Sequence, residues 1–296
     1  MKTIKILAYT LALTSGLVIT SCGSDDEGGT AALPPIGGYN TADEVGAADL
    51  IAYWSFDTDG KESISGTTPN GNSNVTFVDA VKGNGANFNA GFLKYPAIAN
   101  LSNSLSSFSI STWAKVTNNG ASGSVFLSLA RPNEWAGNIN FLSETGWAQA
   151  TSDSITVKGQ IVSNNTLGWQ DSRNTIKSNA EELADGHVPF PNKVGGQWMH
   201  AVLTWDGPTR MLKVYVNGEK ISNPKWELRG AADSPGLEFT TPTYPVIGAF
   251  ATTANGTATD AWDKPLTGQL DEMRVWKKAL NGADINSLYE LEKAGR

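Results

Sequence analysis

Short runs that alternate apolar and polar residues recur along most of this chain, and that period of two constrains the fold more than any other feature. In "SFSISTWAKVT" (107 to 117), Phe108, Ile110, Thr112, Ala114 and Val116 share one face, and Ser109, Ser111, Trp113 and Lys115 the other. Side chains of a strand point to opposite faces in turn, so this is a strand with one side toward a core. "LIAYWSF" (50 to 56), "SNVTFVD" (73 to 79), "GANFNAGFLKYP" (85 to 96), "GSVFLSLA" (123 to 130), "YPVIGAF" (244 to 250) and "GQLDEMRVW" (268 to 276) read likewise. "GQWMHAVLTWDGPTRMLKVYVNGEKIS" holds two strands around Asp206-Gly207-Pro208-Thr209 and a further hairpin signal at Asn217-Gly218, residues that tolerate positive φ.

Helical spacing enters only after Trp276, where Leu280, Asp284, Ile285 and Leu288 mark one short amphipathic helix that Asn281 can cap. Many short strands and one terminal helix indicate an all-β, two-sheet antiparallel sandwich over about residues 48–296. Residues 131–197 interrupt the regular spacing as a long insertion. "NINFLSE" and "SITVKGQIVS" are its strand candidates, and the rest reads as polar loop.

Before the β region lies a leader. "MKTIKILAYTLALTSGLVITSC" has two lysines, an apolar run and small residues before the only cysteine, the pattern of a secretory signal over 1–21. The ending Ile19-Thr20-Ser21-Cys22 resembles a bacterial lipoprotein processing site, which implies lipidation at Cys22 and a membrane held by the lipid anchor alone. "GSDDEGGTAALPPIGG" then has too little apolar surface to fold, so residues 22–47 read as a flexible tether. Its Ser24-Asp25-Asp26-Glu27 run resembles an export tag of surface lipoproteins in some Gram-negative bacteria, which implies an outer-membrane protein facing the exterior. It equally reads as a solvated acidic linker.

Charge and inventory exclude several functions. Cleavage before Cys22 removes Lys2 and Lys5 and takes the net charge from −7 to −9. No basic cluster accompanies that charge, so nucleic acid is not an expected partner. No cysteine remains for a disulfide or a thiolate metal site. His187 and His200 are the only histidines, no nucleophile elbow is present, and no glycine-rich stretch leads from a strand into a helix as a phosphate loop does.

One residue resists the strand pattern. In "GQLDEMRVW", strict alternation puts Asp271 in a row with Met273 and Val275, and Glu272 and Arg274 on a more solvated face. A carboxylate in an apolar row needs a cation, backbone N–H donors or protonation. A position at the strand start facing loop amides is one answer.

Three stretches taken together resemble the concanavalin A-like lectin/glucanase superfamily, in particular bacterial laminin G-like domains. They are "LIAYWSFD"; "SFSISTWAKV" with "GQWMHAVLTWDGPTRMLKVYVNGEKI" downstream; and "LTGQLDEMRVWKKALNGADINSLY". The resemblance covers about residues 48–291 and implies a jelly roll. It also implies a second answer for Asp271, a structural Ca²⁺ bound with Asp57 and the carbonyl of Gly91, since this ion takes carboxylate and carbonyl oxygens.

The superfamily includes glucanases with two or three carboxylates along one strand. No stretch here has that spacing, so no catalytic residue is assigned; Glu134 and Glu144 are the only carboxylates worth testing for hydrolysis. Carbohydrate binding is the expected function, because a sugar ring offers an apolar C–H face and a polar rim. Trp135, Trp147, Trp169 and Trp262 lie in Gly-, Asn-, Asp- and Gln-rich sequence and are the candidate sugar-binding residues, whereas Trp54, Trp113, Trp198, Trp205 and Trp276 fall in strands. An adhesin or assembly subunit that holds a surface protein with the same loops is the alternative, and a glucanase-type glycoside hydrolase the second alternative.

Overall fold

The computed structural model describes residues 33–296; the leader, Cys22 and the Ser24–Glu27 run lie outside the described residues. Thirteen strands follow in chain order: β1 (Leu50–Trp54), β2 (Gly71–Asp79), β3 (Asn84–Lys94), β4 (Phe108–Lys115), β5 (Ser124–Leu129), β6 (Ile139–Ser143), β7 (Val157–Val162), β8 (Trp169–Arg173), β9 (Trp198–Asp206), β10 (Met211–Val216), β11 (Glu219–Lys220), β12 (Pro245–Ile247) and β13 (Leu266–Trp276). Three helices accompany them, α1 (Ala180–Ala184), α2 (Ala251–Ala254) and α3 (Gly282–Lys293). The single helix expected from sequence is α3. The two others are helical turns too short to carry a periodic signal.

Hydrogen bonding runs unbroken in the order β11-β10-β9-β4-β13-β3-β12-β5-β6-β7-β8, with β1 beside β13 and β2 beside β3. Every pairing is antiparallel, for example Phe108↔Trp205 between β4 and β9 and Ile139↔Ile161 between β6 and β7. The ladder is therefore one curled sheet rather than two hydrogen-bonded separately. Its halves turn to face each other, and Gly159 of β7 comes so near Leu203 of β9 that a Cβ would run into the leucine. Between the halves lie Phe108 and Ile110 of β4, Phe126 of β5, Phe141 of β6, Ile161 of β7 and Leu203 and Trp205 of β9, all buried. Each such side chain contributes roughly 1.5–3 kcal/mol on leaving water.

Side chains alternate along β4 as expected, although its second face is buried too, with Trp113 under α3; along β13 the alternation fails. Against β4, Asp271 pairs with Trp113 and Arg274 with Ser111, so three steps on one strand meet two on the other. This is a β-bulge, with Glu272 at φ 48°. Leu270, Met273 and Val275 therefore share the core, and Asp271 is not in their row. Glu272 and Arg274 are not on a solvated face either; they are 0% and 1% exposed. Helix α3 and the segment leading into β1 cover them.

Asn281 caps α3 by accepting from the N–H groups of Ala283 and Asp284, both at 2.9 Å. The helix buries Ile285, Leu288 and Leu291 against Val202, Tyr215 and Trp276, and Ala42 and Val45 close the same cluster. Residues 36–47, expected to belong to the tether, are thus part of the domain. Tyr39 donates to Asp284 at 2.9 Å, and the N–H of Ala42 donates to the carbonyl of Arg296 at 3.2 Å. A few apolar residues among glycines are too sparse a signal until α3 supplies their partner.

Candidate functional site

The outer face of β5–β8 is the floor of an open cleft. Val125 and Leu142 give it an apolar patch, and Lys158 and Gln160, two residues apart on β7, turn to the same side. On β8, Asp171 stands opposite Gln160 and Arg173 opposite Lys158, so a row of polar groups crosses the two strands. Gln160 is buried, and its side-chain oxygen accepts from Nδ2 of Asn140 at 2.9 Å.

Three loops raise aromatic walls on this floor. Trp135, from the β5–β6 connection, packs against Phe250 at 5.1 Å, Trp262 at 5.0 Å and Trp169 at 5.2 Å between ring centroids. Arg131 steadies the loop by donating from Nε to the carbonyl of Ala136 at 2.8 Å. Trp147 ends the 3-10 turn Thr145–Trp147 after β6 and stands opposite. Trp262 comes from the α2–β13 connection. The cleft encloses about 310 Å³.

Of the four tryptophans named from sequence, Trp135, Trp147 and Trp262 line the cleft together with Glu144. Trp169 does not line it: it is the first residue of β8, not a loop residue, and packs against Trp135. Trp147 is 58% exposed and Trp262 37%, whereas Trp135 is half-buried among the other rings. Phe250, Lys158 and Gln160 were not anticipated. The signal for the last two was present, since a lysine and a glutamine two apart mark a polar face on an otherwise apolar strand.

Charges in the cleft are matched. Nζ of Lys158 lies 3.0 Å from Oε1 of Glu144 and 3.6 Å from Oδ2 of Asp171, and Arg173 reaches Asp171 at 3.5 Å. Lys158 and Arg173 also sit 5.5 and 5.4 Å from the centre of the Trp147 ring. Contacts of this kind hold an exposed indole in place. Glu134 is exposed and pairs with Arg131 at 3.7 Å.

The residues named for a cation are only partly gathered. Asp57 and Asp271 both reach the turn between β2 and β3. Oδ1 of Asp57 accepts the N–H of Asn84 at 3.2 Å, and Oδ2 of Asp271 accepts those of Val81 and Lys82 at 3.1 and 3.0 Å. Oδ1 of Asp271 accepts the N–H of Glu272 at 2.8 Å. Gly91 pairs with Leu266, five residues along β13 from Asp271, which is about 16–17 Å at the usual strand rise. Among the described residues no group of three or more His, Cys, Asp or Glu side chains converges as a metal site. Three amide donors on one carboxylate, with the glycine carbonyl elsewhere, do not fit the Ca²⁺ set expected from the resemblance. They fit a carboxylate that ties the β2–β3 turn to β13. Burial pushes its acid up to about 7 against the pull of those amides.

His200 belongs to a second buried group, beneath α3. Arg274 pairs with Glu272 at 2.6 Å, with Asp43 at 3.1 Å and with Glu292, and Nε1 of Trp113 donates to Glu292 at 2.8 Å. Burial and then the nearby Arg274 push His200 down to about 3, so the imidazole is neutral and its 3.4 Å approach to Glu292 is not an ion pair. His187 lies elsewhere, beside Asn223 and Trp226.

The curled antiparallel sheet with α3 laid on it is consistent with a concanavalin A-like fold. The chain belongs to the Laminin_G_3 family of the concanavalin A-like lectin/glucanases superfamily, whose model matches residues 87–286. No curated protein matches it. Among solved structures it is similar to domain 4 of AbnA, a GH43 extracellular arabinanase from Geobacillus stearothermophilus in complex with arabinotriose. There the TM-score is 0.50 at 20% identity, over 81% of this chain and 98% of that one. It is also similar to the botulinum neurotoxin serotype D ligand binding domain in complex with N-acetylneuraminic acid, with TM-score 0.51 and 13% identity over 83% of this chain. The receptor binding domain of the botulinum neurotoxin C/D mosaic serotype matches with TM-score 0.53 and 13% identity over 82% of this chain. The chain spans about half the length of these toxin chains, 52% and 51%. At such identities the likeness is one of fold.

Proposed function

We propose that this domain binds extracellular carbohydrate without cleaving it, stacking sugar rings on Trp147, Trp262 and Trp135. One observation carries the reading. Three tryptophans scattered from 135 to 262 converge on a single open cleft whose remaining lining includes Glu144, Lys158 and Gln160. Flat aromatic walls suit the C–H face of a sugar, and convergent amide, ammonium and carboxylate groups suit its hydroxyls. The arabinanase domain and toxin domain it resembles carry sugar ligands in their structures, which supports a similar use of the fold here.

Binding is favoured over hydrolysis because the cleft lacks a free carboxyl pair. A retaining glycosidase works with two such groups about 5 Å apart, one of them protonated. Here Glu144 is engaged by Lys158, and Glu134 does not line this cleft and is paired with Arg131. We read the curled sheet as the family's jelly-roll sandwich. We also take the leader and Cys22 to make this a lipid-anchored outer-membrane protein facing the cell exterior, where polysaccharide is met.

A glycan array probed with the mature chain tests the function, with reducing ends assayed in parallel. Retention of at least one glycan with no release of reducing ends is the expected result. Reducing ends that disappear in Glu144→Gln would make it a hydrolase. An empty array with a surface protein recovered reproducibly would make it an adhesin or assembly subunit.

A further inference from the structure

We propose that the ligand is an uncharged oligosaccharide of at least two sugar units, laid across Trp135 so that neighbouring units occupy separate clefts. This rests on the carbohydrate-binding reading and adds the length and charge class of the ligand.

Trp135 is a dividing wall. A second cavity of about 330 Å³ adjoins Trp135, lined also by Asn133, Glu134, Thr252, Thr257, Asp260 and Asp263. Trp135 is the one residue that lines both cavities. Small-molecule sites run from about 300 to 1,000 Å³, so each cleft alone is at the lower limit and suits a small unit of a ligand. A chain that fills both must cross the Trp135 ring, which its packing against Trp262, Phe250 and Trp169 holds at a fixed angle.

The second cleft also selects by charge. Its lining offers an amide, hydroxyls and carboxylates, and no Lys, Arg or His. Asp263 is 3% exposed and accepts the hydroxyls of Thr252 and Thr253, the latter at 2.6 Å, which organises that wall. In the first cleft Lys158 is already matched by Glu144 and Asp171, and Arg173 by Asp171. An acidic sugar would meet no spare cation in the first cleft, and in the second three carboxylates, of which only Glu134 has a cation, Arg131, beside it. Sugar hydroxyls, by contrast, can donate to those carboxylates.

The test is calorimetric titration of the mature chain with neutral gluco-, manno-, xylo- and arabino-oligosaccharides of one to five units, and with oligogalacturonides and sialyllactose. In the neutral series that binds, affinity should rise about tenfold or more from one unit to three and then level off. The acidic sugars should not bind. Asp260→Asn, a change on an exposed loop, should cut the gain from added units by about threefold or more on the same free-energy scale. A monosaccharide bound as tightly as the trimer, or an acidic series bound best, would overturn the inference while leaving carbohydrate binding intact. Binding of no series would overturn both.

Discussion

Nζ of Lys158 lies 3.0 Å from the Glu144 carboxylate. The same ammonium stands 5.5 Å from the centre of the Trp147 ring, so one cation both neutralises the cleft's acid and backs its most exposed indole. Arg173 reaches Trp147 at 5.4 Å and Trp226 at 4.7 Å. Trp147 is therefore held on a frame of charged side chains and not in the core.

That difference in support predicts different outcomes for two tryptophans of one cleft. Trp147→Ala should change stability by less than about 1 kcal/mol, the scale of a surface cation–π contact. Trp135→Ala removes the central ring of a four-ring cluster and should cost about 2–5 kcal/mol, as large-to-small changes in packed sites do. Urea unfolding of both variants checks this; equal losses would mean that Trp147 is packed as Trp135 is.

Lys158→Met should keep much of the stem's packing but leave Glu144 and Asp171 without their shared cation. It should weaken neutral-sugar binding while leaving the fold intact by circular dichroism. Unchanged affinity would remove Lys158 from the site.

Asp271 predicts an inverted pH dependence. Its acid lies near 3.8 in the unfolded chain and about 7 in the folded one. A pKa raised on folding contributes stability that is fully present below the unfolded value and is lost as pH rises through the folded value. Between pH 5 and 8 this group alone should therefore lower stability. Asp271→Asn should show a flatter profile than wild type between pH 5 and 8, because an amide does not titrate there. Parallel wild-type and variant profiles would contradict this, and a melting temperature that falls on chelation would restore a cation at this turn.

Beneath α3, Glu292→Ala should be strongly destabilising, by about 3–5 kcal/mol, because it leaves Arg274 short of a partner and Trp113 without an acceptor. His200 adds acid sensitivity of the opposite sign to Asp271. Its folded pKa is about 3, so protonation of the unfolded chain below its ordinary value of 6.5 draws the equilibrium toward unfolding. Chemical denaturation of Glu292→Ala and of His200→Phe at pH 4 and 7 checks both effects; a Glu292→Ala loss under about 1 kcal/mol would mean that the buried group is loosely coupled.

Much of this architecture was legible because the core-facing side of most strands is apolar. The alternation of β4 and the Asn217-Gly218 turn, at φ 51° and 80°, needed only local chemistry. The bulge at Glu272 was not legible, since an extra residue shifts the register without altering composition, and it moved Asp271, Glu272 and Arg274 to unexpected surroundings. Burial of Glu272 and Arg274 depends on how α3 folds back and on residues 36–45, the latter distant in sequence from β13. In the cleft, indoles set among polar residues were readable one by one. Their convergence with Phe250 and Lys158 was not, because it follows from how β5–β8 and the α2–β13 connection meet.

The leader makes its own prediction. Cys22→Ala should release the protein from the membrane fraction into the soluble one, since acyl chains and not a spanning helix would hold it. Retention of that variant in membranes would remove the lipid anchor from the account.

The most direct test of the central claim is affinity electrophoresis of wild type and Trp147→Ala through gels containing neutral polysaccharides. Weak sites of roughly micromolar to millimolar affinity are detected there because the ligand is multivalent. Wild type should be retarded by at least one polysaccharide, and Trp147→Ala, with an unchanged melting temperature, should migrate as it does without ligand. Retardation of the variant equal to that of wild type, or of neither protein by any polysaccharide, would contradict carbohydrate binding through this cleft.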